Sequence, residues 1–113
     1  MVALPDAGLI SYGEQLAVGR NVCEAARHTC VIGDGDTGFG TSANIRRTME
    51  GYARAGFSGI SIEDQVYPKR CSHALGLSVV PRAESVTRVR AALAARDALR
   101  AETGLDLVVV ART

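Results

Sequence analysis

Three short apolar runs, each ending on polar residues, alternate along the chain with stretches of helical period. That order constrains the fold more than any single residue does. The strongest run lies in "LDLVVVART", where Leu107–Val110 is continuous and rich in β-branched residues, as in a parallel-sheet strand covered on both faces. "FSGISIED" alternates and predicts a strand ending near Glu63. Val31–Gly33 predicts a third, shorter strand. A helix over 12–27 is predicted from the box Ser11-Tyr12-Gly13-Glu14, a hydroxyl followed three residues later by an acid. Leu16, Cys23 and Ala26 share its face, while Gly13 and Gly19 weaken it. Thr41 or Ser42 can cap a second helix, whose Ile45, Met49 and Tyr52 form one stripe and which Gly56 stops. Pro81 opens a third helix at its first turn, Val86, Val89, Leu93 and Leu99 share its face, and Gly104 closes it. Residues 64–80, interrupted by Pro68 and Gly76, show no period and are expected to form a long loop, of a length that is usually functional or disordered. Helix, strand, helix, strand, loop, helix, strand means right-handed βαβ units and a parallel sheet.

The chain has 113 residues, enough for one small domain, and 47% of them are hydrophobic, which excludes a disordered tail. Thirteen basic and 12 acidic residues leave a net charge of +1, so nothing electrostatic favours nucleic acid or an anionic membrane. Cys23, Cys30 and Cys71 form no CxxC pair and no zinc spacing. An odd, sparse count suits a reducing compartment, the cytoplasm or an organelle interior. Cys23 and Cys30 are expected to pack as small hydrophobes. No run approaches the ~18 apolar residues of a membrane span, and "MVALPDAGLI" lacks a secretory pattern.

The polar strand ends carry the chemistry. The first run ends at Asp34 and Asp36, the second at Glu63 and Asp64, the third at Arg112 and Thr113. In a parallel sheet all three carboxyl ends lie on one side, where α/β folds bind ligands. The acids suit a hard cation such as magnesium, which takes oxygen ligands and keeps several waters. The glycines around Asp34 and Asp36 let a ligand or another backbone approach closely. Arg112 offers a fork for a substrate carboxylate. The stretch "PKRCSH" puts Lys69, Arg70, Cys71 and His73 together, and cations beside a thiol depress its pKa. Singly, each feature has a plainer reading: a solvated strand end, a surface arginine, a loop histidine. Their coincidence at three strand ends and one loop makes the case.

The stretch "VIGDGDTGFGTSANIRRTMEGYARAGFSGISIEDQVYPKRCSHALG", with "VVVART" further on, resembles the isocitrate lyase and phosphoenolpyruvate mutase superfamily over about Leu4 to Thr113. The resemblance is greatest to its methylisocitrate-lyase-like and carboxyphosphonoenolpyruvate-mutase-like branch. It implies a partial (β/α)8 barrel, an α/β chain of about three parallel strands with intervening helices. Residues 1–113 would be a central fragment of the lyase domain, and residues 64–80 its active-site gating loop. It implies Mg²⁺, with Mn²⁺ as a substitute, at Asp34, Asp36 and Glu63, with Asp36 the closer ligand and Glu63 acting partly through water. It places Arg112 on the substrate carboxylate and Gly33 beside substrate. Cys71 becomes the catalytic acid, with Lys69 and His73 positioning or polarising its thiol.

The implied reaction is carbon–carbon cleavage of a 2-hydroxy di- or tricarboxylate of the 2-methylisocitrate or isocitrate type. The partner is that small carboxylic acid, with no nucleic acid and no membrane, and the full-length family often forms homo-oligomers. Cys71 argues against phosphonomutase chemistry, because mutases of the family typically lack it. Ser72 stands where the lyases usually have glycine, and Leu77 where a basic residue is common. Complete barrels need ~250 residues. Phosphonomutase or 2-oxo-acid hydrolase or decarboxylase chemistry on the same scaffold, and a truncated, non-catalytic family member, therefore stay open.

Overall fold

Ser11 starts the first helix as its spacing predicts. The Glu14 carboxylate accepts from the Ser11 amide at 2.8 Å and from its hydroxyl at 2.6 Å, and the Ser11 oxygen accepts from the Glu14 amide at 3.3 Å. The computed structural model describes residues 3–70, 76 and 78–113. In chain order they form α1 (Tyr12–Ala25), β1 (Ile32–Asp34), α2 (Ser42–Ala55), β2 (Gly59–Glu63), α3 (Arg82–Thr103) and β3 (Val108–Arg112). Gly56 and Gly104 end α2 and α3 in left-handed backbone, φ 98° and 76°, where a Cβ would be strained. Pro81 stands one residue earlier than expected, as the N-cap of α3.

The three strands form one parallel sheet in the order β1-β2-β3. Asp34 lies opposite Ser61, and Glu63 opposite Arg112. This is an α/β arrangement of three parallel strands with intervening helices. The core lies between α2, β2 and α3. Ile45, Met49, Tyr52, Ile60 and Ile62 are almost wholly inaccessible to solvent. Burying an aliphatic side chain of this size contributes about 1.5–3 kcal/mol. Phe57 stacks on Tyr52 with ring centroids 4.6 Å apart.

Three packing expectations are corrected. The buried stripe of α3 is Ala92, Ala95 and Leu99, while Val86 is exposed and Val89 and Leu93 are half-buried. Small side chains at 92 and 95 let α3 lie close against the core, and that close approach sets the buried face. β3 is not covered on both faces: Val108 is 61% and Val110 40% exposed. Only β2 pairs with it among the described residues. Cys30 is likewise exposed rather than packed, whereas Cys23 lies against the core and burial pushes its thiol pKa up.

The stretch 64–80 has an ordered base. Gln65 and Val79 form an antiparallel bridge, the Val66 amide donates to the Ser78 carbonyl at 2.9 Å, and the Val80 amide donates to the Asp64 carbonyl at 2.9 Å. No helix among the described residues is long and apolar enough to cross a membrane.

Candidate active site

The turn after β1 is folded over the end of β2. The Gly35 amide donates to the Ser61 carbonyl and the Glu63 amide to the Asp36 carbonyl, both at 2.8 Å. A Cβ on Gly35 would lie 2.8 Å from that same Ser61 oxygen, so glycine is what lets the two backbones meet. Within the turn, the Asp34 carboxylate accepts from the Asp36 amide at 3.0 Å and from the Ser61 hydroxyl at 3.2 Å. This side-chain-to-backbone turn holds Asp36 at φ 46°, left-handed backbone that aspartate tolerates better than most residues. Behind the strand, the buried Tyr52 hydroxyl donates to the Asp34 carbonyl at 2.7 Å. The glycine at 33 is explained by packing: an added Cβ would lie 2.6 Å from Phe57 and 2.8 Å from Tyr52.

Five of the anticipated residues meet at this rim. Lys69 Nζ lies 2.6 Å from Asp36 Oδ1 and 3.8 Å from Glu63 Oε1. Arg112 Nη1 lies 3.5 Å from Asp34 Oδ2, and its Nε 3.8 Å from Glu63 Oε2. Asp34, Asp36 and Glu63 thus share two cations, and one negative charge stays uncompensated within the set. Burial works against the charge on Lys69, but the hydrogen bond to Asp36 and the surrounding carboxylates outweigh it and hold its pKa above the ordinary lysine value. Lys69 is therefore a fixed ammonium. Burial raises the Glu63 pKa, and Lys69 and Arg112 offset this only in part.

Asp6 belongs to the cluster and was not singled out from the sequence: its Oδ1 lies 3.1 Å from Lys69 Nζ. Nothing in the spacing of Asp6 and Lys69 announces the pair. Cys71 and His73 lie outside the described residues. Beside the Lys69–Asp36 pair opens a cleft of ≈ 270 Å³ walled by Tyr12, Phe39 and Tyr67. The side chain of Arg112 is 56% exposed, which leaves part of its fork free for a further anion.

Whether these residues suit a divalent cation can be tested on the donors themselves. Among the described residues, no three His, Cys, Asp or Glu side chains converge closely enough to hold an ion alone. The two cations bridge the carboxylates instead. Yet Glu63 Oε1 is buried without a hydrogen-bond partner, and the rim carries excess negative charge. An all-oxygen set with one orphaned lone pair fits an ion held by one or two carboxylates, with waters and substrate completing its shell. At this rim Asp34 and Asp36 present partly exposed carboxylates, and Glu63 its unpartnered Oε1.

The family model for phosphoenolpyruvate phosphomutase matches residues 1–113. The chain is 39% identical over 109 residues to 2,3-dimethylmalate lyase of Eubacterium barkeri, covering 96% of this chain and 35% of that protein. It is 39% identical over 112 residues to a 2-methylisocitrate lyase of Aeropyrum pernix, covering 99% and 33%. Among solved structures, oxaloacetate acetylhydrolase with the inhibitor 3,3-difluorooxalacetate superimposes with a TM-score of 0.90 at 34% identity, over 99% of this chain and 37% of that one. Phosphonopyruvate hydrolase in complex with oxalate and Mg²⁺ superimposes with a TM-score of 0.74 at 29% identity, over 96% and 35%. The chain thus spans about a third of the length of the curated relatives it matches.

Proposed function

Since the chain belongs to the isocitrate lyase and phosphoenolpyruvate mutase superfamily, we propose that its site residues serve a Mg²⁺-dependent carbon–carbon lyase acting on a 2-hydroxy di- or tricarboxylate. The observation that carries this reading is the gathering of Asp34, Asp36, Glu63, Lys69 and Arg112 at the carboxyl ends of three parallel strands. Members of the superfamily are lyases, mutases and hydrolases, and 2,3-dimethylmalate lyase is among the relatives this chain resembles. The activity of a complete barrel, of which this chain covers a third, is part of the proposal.

Arg112 is the residue that would receive a substrate carboxylate, because its fork is partly exposed and already lies within reach of the rim acids. Lys69 neutralises Asp36 and stays protonated, so it orients the acids rather than trading a proton. Asp34 and Asp36, with Glu63 through a water, would hold a divalent ion, which when bound would supply charge stabilisation for the oxygens of the reacting acid. In the cleavage, the C2 hydroxyl gives its proton to a rim carboxylate, with the unpartnered Glu63 Oε1 available to take it, and becomes a carbonyl as the adjacent carbon–carbon bond breaks. The electron pair passes to the departing fragment, and Cys71 protonates that carbanion as general acid. The roles of Cys71 and His73 rest on the resemblance of "KRCSH" alone.

A panel assay tests the reading. Incubated with Mg²⁺ and 2-methylisocitrate, isocitrate or 2,3-dimethylmalate, the protein should release a 2-oxo acid. EDTA and Cys71→Ser should each abolish release. Hydrolysis of oxaloacetate, with no cleavage of the hydroxy acids, would favour the second reading, a 2-oxo-acid hydrolase, which the fit to oxaloacetate acetylhydrolase supports. Inertness toward the whole panel would leave the non-catalytic reading.

A further inference from the structure

Arg88 belongs to α3, not to any strand end, yet its guanidinium reaches the acid rim from behind. Its side chain is only 12% exposed. Nη1 donates to the Glu63 carbonyl at 3.3 Å and to the Gln65 carbonyl at 2.9 Å, while Nη2 is held by Glu84 one helical turn back at 2.7 Å. The two carbonyls flank the point where β2 ends and the 64–80 stretch begins. The antiparallel base of that stretch uses the Asp64 carbonyl and the Val66 amide, which leaves the Gln65 carbonyl facing Arg88. Gln65 is itself buried, and its side-chain oxygen accepts from the Arg70 amide at 3.3 Å. One continuous set of bonds therefore runs from α3 through Arg88 and Gln65 to Arg70, between Lys69 and position 71.

We propose that Arg88 is a positioning residue for this site. It fixes the backbone of Glu63 on one side and, through Gln65, the segment carrying Lys69 and Arg70 on the other. A planar guanidinium whose Nη1 donates to both carbonyls while its Nη2 is braced by Glu84 is held in one orientation, which suits this task better than a freely rotating ammonium. The inference depends on the lyase reading only in assigning Glu63 and the 64–80 stretch to the active site.

Backbone amide exchange on the isotopically labelled full chain tests it without substrate or ion, so its failure is separable from failure of the lyase reading. In Arg88→Met, exchange at Val66, Arg70 and Val80 should accelerate by about tenfold or more. Ser58 and Val108, whose amides donate to Val31 and Ser58 at the other end of the sheet, should stay unchanged. Arg88→Lys should restore part of the protection. A uniform acceleration at all five amides would reduce Arg88 to a general stabiliser and overturn the proposal, as would no change at any. Should Arg88→Met fail to fold, Gln65→Met removes only the bond to Arg70. Acceleration confined to Arg70 supports the relay, and an unchanged Arg70 sinks it.

Discussion

Lys69 Nζ and Asp36 Oδ1 lie 2.6 Å apart across 33 positions of sequence, and the lysine side chain is only 7% exposed. The ammonium also stands within reach of Glu63 and Asp6, so one cation serves carboxylates from three separate segments. Replacing it by methionine strands buried negative charge. Lys69→Met should destabilise the chain by on the order of 2 kcal/mol, below the range for fully buried pairs because Asp36 keeps some solvent. Adding Asp36→Asn should cost much less than the sum of the two single changes. Urea melts of the four proteins measure the coupling, and strict additivity would refute the pairing.

Tyr52 links the core to the rim through a single atom. Its ring is wholly buried and its hydroxyl donates to the carbonyl of Asp34. Tyr52→Phe keeps the packing and removes the donor. A loss of about 1–1.5 kcal/mol in chemical denaturation is expected, with no change in the denaturant slope. A variant as stable as the parent would show that the Gln15 side chain, 3.4 Å from the same carbonyl, suffices.

Gly33 is closed to any larger residue. The Cβ of alanine would enter the space of the stacked Phe57 and Tyr52 rings. Gly33→Ala should therefore cost about 1–3 kcal/mol through overpacking. The compensating change Phe57→Leu should recover part of that loss in the Gly33→Ala background. Thermal melts of the single and double variants decide it.

The cap of α1 makes helix stability depend on acid. Hydrogen bonds from the Ser11 side chain and then its backbone hold the Glu14 pKa below its ordinary value of 4.5. A carboxyl that ionises more readily in the folded chain contributes stability above pH 4.5, and that contribution is lost as the pH falls through its folded value. Amide exchange in the first turn of α1 should accelerate on acidification through that window. Glu14→Gln should remove this pH dependence while keeping a neutral cap.

Much of this architecture can be read from local patterns. The Ser11–Glu14 box, the stripe Ile45–Met49–Tyr52 and the stop at Gly56 report contacts between near neighbours, so sequence spacing announces them. The acids and Arg112 were legible because parallel strands bring their carboxyl ends together, a consequence of topology alone. Val86, Val108 and Val110 misled because side-chain hydrophobicity says nothing about whether another element arrives to cover it. Asp6, Gln65 and Arg88 were invisible for a related reason. Each acts across a long loop or between layers, through charge or backbone carbonyls that have no periodic signature.

The register that sets Glu63 opposite Arg112 makes spacing as informative as residue type. Side chains along a strand alternate between faces, so inserting or deleting one residue between Leu107 and Arg112 would turn the guanidinium away from its acids while leaving the composition of the strand intact. Gene lineages carrying this site should thus accept changes of letter within "VVVA", ahead of the arginine, more readily than changes of length.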